Sequence, residues 1–359
     1  MSRMELDNRI KALTEQIRPA DQEIEKQSWD FWDTRCKPLR GFGYLEEMVV
    51  RLAGMTGQVH PSIAKRAVVI MGADNGVVEE GVSQCGPEVT TQVLENMGER
   101  KSSVCVMSQK LGAEVVPIDI GMKTPAAHPG VRVRVIRRGT GNIAKEPAMT
   151  RDECIRAILV GAETARELKE EGYELIMVGE MGIANTTTSS ACACVMFDQD
   201  PEQTTGRGAG LSGEGLRRKK EVIRQALRVN APDASDPVDI LAKVGGLDIA
   251  GMTGLYLGAA SVGLPAMIDG AISGIAAVLA SRICPAAKDY MLPSHSTAEP
   301  VGAMITKELG LEPILFAGMH LGEATGAAMV LPLLDMALHV YETLPGFADS
   351  NVEQYEHLV

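Results

Sequence analysis

The sequence is poor in aromatic residues and has no surplus of positive charge. Phe, Trp and Tyr make up only 4% of its 359 residues. The 35 Lys and Arg residues are outnumbered by 47 Asp and Glu residues, so the formal net charge at pH 7 is −12. Nucleic-acid-binding proteins usually carry a basic face, so this balance argues against that class. Any anionic ligand must therefore be bound by a local site rather than by overall attraction.

Metal-type cysteine spacing, a secretory signal and a long apolar run are also missing. The seven cysteines form no CxxC pair, which argues against a disulfide framework and favours a reducing cytoplasm. Residues 1–19 carry charges throughout, unlike a signal peptide. The most apolar region, 255–284, is interrupted by Pro265, Asp269 and several glycines, so it predicts buried core and no membrane span. We expect a cytoplasmic protein without a bound metal.

Neither of the two common nucleotide-binding loops is found in its usual setting. Gly206, Gly208 and Gly210 lie close together in a glycine-rich segment, but no strand-like run precedes them. We therefore reject a dinucleotide site at these glycines. A GxxxxGK[ST] phosphate loop does not occur anywhere in the chain.

Strand-like runs alternate with helix-like stretches along most of the chain. The strand-like runs lie at 66–72, 114–119, 132–136, 174–178, 265–268, 289–292 and 313–316. The helix-like stretches lie at 4–17, 43–52, 88–111, 151–171, 214–228, 247–260, 271–284, 297–309 and 323–342. This alternation predicts an α/β fold with a mostly parallel, doubly wound sheet. Because the first and last helices lack strand neighbours, we expect a small helical domain built from both chain termini, residues 1–60 and 340–359. A large catalytic domain would span 61–339.

Ligands of open parallel sheets bind outside the carboxyl ends of the strands, so the segments that follow the strand-like runs matter most. The first such segment, 72–83, holds three glycines, Asp74 and two glutamates, and ends at Ser83. We interpret it as a ligand loop, although an ordinary surface loop has a similar composition. In the next, 178–190, Glu180 ends a buried strand.

Two further segments predict an anion site and a general base. Asn185, Thr186 and Thr187 open a helix, and free backbone N–H groups at a helix N-terminus bind anions such as phosphate. Simple helix capping is the alternative interpretation. Glu323 lies near the start of the last long helix, where the macrodipole favours an ionised carboxylate that can accept a proton. The alternative is a carboxylate that only stabilises the helix.

Three other positions are weaker candidates. The basic run 217–220 is expected to be mostly solvated, with one lysine able to reach a ligand. Asp269 ends a buried strand and either faces the ligand or forms an ordinary turn. For His295, in the hydroxyl-rich segment 293–300, we expect no direct catalytic role because no nucleophile elbow accompanies it. Together the residues indicate an α/β enzyme of group transfer on a phosphorylated small molecule.

Six segments also occur in the order found in a known family. GEMGIANTTTSSA, TGRGAGLSGEGLRRK, GGLDIAGMTG, IDGAIS, SHSTAEP and LGEATGAA closely resemble the nicotinate-nucleotide:dimethylbenzimidazole phosphoribosyltransferases of cobamide synthesis. The resemblance runs from about Asp74 to Asp335. It implies a homodimer that transfers phosphoribosyl from nicotinate mononucleotide to an aromatic base, with inversion at the anomeric carbon and without a cofactor or metal.

The resemblance also implies roles for individual residues. Glu323 would be the general base, because the acceptor loses a proton as it attacks, whereas the cationic pyridinium of the donor leaves without an acid. Substrate-binding roles would fall on Glu180, Gly182, Asn185, Thr186, Thr187, Lys219, Asp269 and Thr297, to which we add Asp74 and Ser83 of the first segment.

The sequence departs from the family pattern at several places: Asn75 replaces a usual histidine and Ala184 replaces a usual glycine. Two further departures fall where the family's aromatic acceptor lies: Gln84-Cys85 stands where an aromatic-proline pair is usual, and residues 99–104 (ERKSSV) replace a usual stretch of small residues, GGAAIN. One alternative is therefore a subunit of a heterodimer with a paralogue that activates phenol or p-cresol. Another is a non-catalytic subunit that stabilises an active paralogue. The retention of Glu180, Lys219 and Glu323 argues against the latter.

Overall fold

A six-stranded parallel sheet forms the centre of the protein in a computed structural model that describes residues 3–356. Its strands are β1 (Arg66–Ala73), β2 (Ala113–Gly121), β3 (Arg132–Val133), β4 (Leu175–Met181), β5 (Ala266–Ile268) and β6 (Met291–Leu292). They lie in the order β3-β2-β1-β4-β5-β6, and every neighbouring pair is parallel. The prediction of an α/β fold with a mostly parallel, doubly wound sheet is confirmed.

The strand order reverses between β1 and β4, which creates a crevice at the carboxyl edge of the sheet. The strands align there, because Met71 of β1 pairs with Glu180 of β4 and Gly72 pairs with Met181. Every residue of β4 is buried, as expected for a parallel sheet covered on both faces. This edge is where the fold favours a ligand.

Helices connect the strands and cover the sheet. They are α1 (Arg3–Thr14), α2 (Gln22–Thr34), α3 (Tyr44–Thr56), α4 (Glu88–Gly98), α5 (Ser103–Leu111), α6 (Arg151–Glu170), α7 (Asn185–Phe197), α8 (Pro201–Thr204), α9 (Gly213–Asn230), α10 (Pro237–Val244), α11 (Leu247–Ser261), α12 (Ala271–Ile283), α13 (Gly302–Leu309) and α14 (Thr325–Thr343). Helices α6 and α11 cross so closely that a Cβ on Gly161 would lie 1.9 Å from the Gly251 carbonyl oxygen. Only glycine permits this approach.

The two chain ends meet through aromatic side chains. The Tyr341 hydroxyl on α14 donates a hydrogen bond to the Val59 carbonyl at 2.8 Å and lies 3.0 Å from the Ser28 hydroxyl of α2. The rings of Phe31 and Trp32 pack against the Tyr341 ring. The proposed division of the chain into domains at residues 60 and 340 stays a prediction, and its residues 1–2 and 357–359 lie outside the described residues.

Two predicted elements were wrong in detail. The run 313–316 forms no strand in the described chain; Leu315 makes only a single bridge to His295. Proline at 313 donates no backbone hydrogen bond, and the neighbouring edge strand β6 has only two residues to pair with. The stretch 88–111 is two helices, because Arg100 adopts a left-handed backbone with φ of 63° and Ser102 caps α5.

Three helices were missed altogether: α2, α8 and α10. Helix α2 has Ile24 as its only aliphatic residue, and its start signal is Asp21, which caps it by accepting from the backbone of Glu23 and Ile24. Helix α8 has only four residues. Helix α10 begins with Pro237 directly after the cap Asp236, a recognisable start signal that we did not use. No helix within residues 3–356 is long and apolar enough to cross a membrane.

Candidate active site

A cavity of about 330 Å³ opens at the carboxyl edge, next to the ends of β4 and β5. The residues predicted for the site that line it are Ser83, Glu180, Gly182, Asn185, Thr186, Asp269, Thr297 and Glu323. Asp74, Thr187 and Lys219 are not among the lining residues, although Lys219 contacts one of them. Within residues 3–356, no group of three or more His, Cys, Asp or Glu side chains is arranged to hold a metal ion.

Glu180 belongs to a buried network of polar side chains. The Asn185 amide donates to Glu180 Oε2 and, at 2.9 Å, to Asp248 Oδ2. Burial, together with the charges of nearby carboxylates, raises the pKa of Glu180 to about 8. Burial also raises the pKa of Asp248 to about 6. At pH 7 Glu180 is therefore mostly protonated, and its neutral form can donate a hydrogen bond.

A candidate anion site lies where helix α7 begins. Lys219 of α9 is fully buried, and its Nζ donates to Thr186 Oγ1 at 2.8 Å and to the Gly206 carbonyl at 3.3 Å. Burial lowers the pKa of Lys219 to about 8, so it remains mostly charged at pH 7. No side chain of residues 3–356 caps α7. A helix N-terminus with one buried lysine is suited to binding phosphate.

Asp74 and Thr187, two residues predicted for the site, are buried and do not line the cavity. Asp74 is buried at the end of β1, and its Oδ2 accepts a hydrogen bond of 2.7 Å from the backbone of Lys123. This bond ties β1 to the segment after β2. Burial raises the pKa of the Asp74 carboxyl. Thr187 is also fully buried, on the inner side of the first turn of α7.

Glu323 lies directly before α14 in an unusual backbone conformation. Its φ is 57°, and that of Ala324 is 58°. Its Oε2 is buried and has no hydrogen-bond partner among residues 3–356. Burial and the charge of Asp269 raise the pKa of Glu323. A carboxylate with a raised pKa and an unpaired oxygen in a cavity is suited to accept a proton.

Several lining residues were not assigned a role from the sequence. Burial lowers the pKa of His295, whose Nδ1 lies 3.3 Å from the Ser294 hydroxyl. Glu299 accepts a hydrogen bond of 3.2 Å from the backbone of Gly208, which brings the loop before α9 over the cavity. Asp248 is a buried member of the network and lies in the motif GGLDIAGMTG, which was the signal available in the sequence.

The cavity combines polar residues at the start of α7 with apolar side chains from other segments. Its apolar lining includes Val82, Val89, Val93, Met181, Ile183, Leu211, Ile272, Val301 and Leu321. The Gln84 amide donates to the Gly210 carbonyl and so joins the two loops at the mouth.

Comparisons with known proteins agree with this geometry. A family model for phosphoribosyltransferases matches residues 17–352. A nicotinate-nucleotide–dimethylbenzimidazole phosphoribosyltransferase of Acetivibrio thermocellus is 46% identical over 324 residues, which cover 90% of this chain and 92% of that protein. One from Ruminiclostridium cellulolyticum is 48% identical over 326 residues, covering 91% and 93%. The crystal structure of the enzyme of that name from Thermus thermophilus matches with a TM-score of 0.87 and 36% identity, covering 93% of this chain and 100% of that one.

The family model and the relatives define the chain as a phosphoribosyltransferase, an enzyme that transfers a pentosyl group. The similarity extends over nearly the whole chain and nearly the whole of each relative. The chain belongs to the nicotinate-nucleotide–dimethylbenzimidazole phosphoribosyltransferase family. The family resemblance expected from the motifs is confirmed.

Proposed function

We propose that the protein transfers the phosphoribosyl group of nicotinate mononucleotide to an aromatic base such as 5,6-dimethylbenzimidazole, giving the α-ribotide used in cobamide synthesis. Glu323 is the general base. The observation that carries this proposal is the buried Oε2 of Glu323, which has no partner within residues 3–356 and belongs to a side chain that lines the cavity. The names of the relatives supply the substrate class.

Donor binding follows from the polar residues at the start of α7. The phosphate binds at the N-terminus of α7, with Thr186 and Lys219 as its polar side-chain partners. Protonated Glu180 donates to an oxygen of the nucleotide. Gly182 lines the cavity, and packing requires glycine there, since a Cβ would lie 2.6 Å from both the Ala73 carbonyl oxygen and an Asp248 oxygen.

The chemical step exchanges one bond at the anomeric carbon for another. A nitrogen of the acceptor forms a bond to this carbon while the bond to the pyridinium nitrogen breaks, and its electron pair leaves with nicotinate. The leaving group needs no proton, because it becomes neutral at its ring nitrogen. The acceptor proton goes to Glu323. Attack from the opposite face inverts the anomeric centre and gives the α product.

Nicotinate release tests the proposal. The purified chain, alone and with any paralogue, is incubated with nicotinate mononucleotide and a panel of benzimidazoles, adenine, phenol and p-cresol. We expect nicotinate release that depends on an acceptor. If the chain alone releases none with any acceptor but stimulates a paralogue, it is a partner subunit and the proposal fails.

A second candidate is activation of phenol or p-cresol. One observation favours it. Gln84 differs from the residue usual in the family, and its side-chain amide already donates a hydrogen bond to the Gly210 carbonyl. This leaves Ser83 and Cys85 as the nearby polar side chains of that segment. A phenol has one oxygen and no ring nitrogen, so it needs fewer such partners. Faster nicotinate release with p-cresol than with any benzimidazole would favour this candidate.

We further propose that the protein is a dimer. Helix α14 exposes Met329, Leu333 and Met336 at helical spacing, and α5, which packs against α14, exposes Val106. Monomeric proteins rarely expose so continuous an apolar face. Light scattering tests this directly: Met336→Asp should convert a dimer to a monomer, whereas Val229→Asp, at an exposed valine on α9, should not. An unchanged mass for Met336→Asp would exclude this face as the interface.

A further inference from the structure

Asp269 directly follows β5, and its carboxylate accepts three backbone hydrogen bonds from one turn of the chain. Its Oδ2 accepts from the Ala324 N–H at 3.1 Å. Its Oδ1 accepts from the N–H groups of Gly326 at 2.8 Å and Ala327 at 3.1 Å. A carboxylate accepts about four hydrogen bonds, so three of its positions are filled by this turn. The turn begins α14 and contains Glu323.

The turn is strained and depends on outside support. Gly322, Glu323 and Ala324 all have left-handed backbones, with φ of 89°, 57° and 58°. L-residues avoid this conformation, so two of them in succession persist only where surrounding contacts impose it. Among the residues of its own turn, no side chain caps the N-terminus of α14. Asp269, from a different element, takes this role.

The turn is also confined from two other sides. A Cβ on Gly179 of β4 would lie 2.7 Å from the backbone nitrogen of Ala324, so the strand presses directly against the turn. A Cβ on Gly326 would lie 1.8 Å from Nδ1 of His295. Together with the hydrogen bonds to Asp269, these contacts surround the turn. The backbone of Glu323 therefore cannot move without breaking some of them.

We infer that Asp269 is a positioning residue for Glu323: it fixes the left-handed turn that holds the Glu323 carboxylate in the cavity, and it does not serve to bind substrate. This inference rests on the proposed function, in which Glu323 is the general base. A displacement of a catalytic group by about 1 Å reduces turnover by about 100-fold, which sets the scale of the expected effect.

The negative charge of Asp269 predicts a second effect that can be measured independently, a change in the pKa of Glu323. This charge raises the pKa of Glu323, in addition to burial. The other titratable groups of the cavity are Cys85, Glu180, Arg207, His295, Glu299 and His320, with Lys219 behind Thr186. In Asp269→Asn one negative charge is removed, so the pKa of Glu323 falls. The pKa values of Glu180 and His295, which the same charge raises, fall as well. The acid limb of kcat/KM, which reports a base that must be ionised, then moves to lower pH.

The experiment compares Asp269→Asn, Glu323→Gln and the double variant with the unchanged protein. Nicotinate release gives kcat and its pH profile, and calorimetry gives the Kd of nicotinate mononucleotide. Asp236→Asn is the matched control, because Asp236 caps α10 by accepting from the backbone of Val238 and Asp239. Asp269→Ser, which keeps one acceptor, is the second variant if Asp269→Asn does not fold.

We expect Asp269→Asn to lower kcat by about 10–100-fold with the donor Kd changed by less than about 3-fold. Its acid limb moves to lower pH, and the double variant is no slower than Glu323→Gln. Two results would overturn the inference: a weaker donor Kd with little loss of kcat, or full additivity of the two substitutions. If the unchanged protein releases no nicotinate, the proposed function itself fails and the inference falls with it. If the unchanged protein is active and Asp269→Asn has the same kcat, only the inference about Asp269 is overturned, and the proposed function stands.

Discussion

Replacement of Glu323 by glutamine isolates the proton-accepting role of its carboxylate. Glutamine has the same shape, so the left-handed turn and the cavity lining should persist. The amide cannot take a proton from the acceptor. General base catalysis contributes about 10²–10⁴-fold, which corresponds to about 2.7–5.4 kcal/mol of the barrier. We expect the loss of turnover in Glu323→Gln to fall within this range. Oε2 of Glu323 is buried and has no partner in residues 3–356, so bulk water cannot readily reach this position to accept the proton in its place.

The assay separates chemistry from binding. Steady-state nicotinate release should fall by about 10²–10⁴-fold in kcat, while calorimetry should give an unchanged donor Kd. Glu214→Gln, at an exposed glutamate of α9, is the matched control and should retain full turnover. In the unchanged protein, the raised pKa of Glu323 means that activity is lost as pH falls, beginning above the usual glutamate pKa of 4.5. Turnover of Glu323→Gln within about 3-fold of the unchanged protein would refute the reasoning.

Three other results are expected. Lys219→Met should weaken donor binding at least about 10-fold by calorimetry, since charged hydrogen bonds contribute about 1.5–3 kcal/mol; an unchanged Kd would remove Lys219 from the phosphate site. Donor affinity should decrease as pH rises through 8, because Lys219 loses its positive charge and Glu180 becomes negative with pKa values of about 8; a flat Kd from pH 7 to 9 would contradict both assignments. Ala184→Gly should stabilise the fold by about 0.5–1 kcal/mol in denaturant unfolding, because Ala184 has φ of 72°; destabilisation would show that its methyl packing outweighs the strain.

Much of the site could be predicted because its signals are local in sequence. Glu180 ends a strand, and Asn185 and Thr186 begin the following helix, so both features fall within a dozen residues. The parallel sheet then brings the ends of β4 and β5 to one edge regardless of the intervening chain. The alternation of strands and helices was sufficient for that conclusion.

Other features depended on contacts that no local pattern encodes. The donors to Asp269 lie 55 to 58 residues further along the chain, so its role as a cap for α14 was not visible in the strand that carries it. Lys219 stands in a basic run that looked solvated, and only the packing of α9 against α7 shows that it is buried. Asp74 lies at a strand end as the rule expects, yet its carboxylate accepts a hydrogen bond from the Lys123 backbone and is not among the residues that line the cavity.

The identity and configuration of the product test the central claim most directly. Nicotinate mononucleotide and 5,6-dimethylbenzimidazole are incubated with the purified chain, and the product is analysed by mass spectrometry and proton NMR. The account predicts a ribotide with the mass of phosphoribosyl joined to the benzimidazole, in the α configuration, formed in equal amount to nicotinate. A β-configured product would contradict direct attack on the donor. Nicotinate released together with free ribose phosphate would contradict transfer to the base.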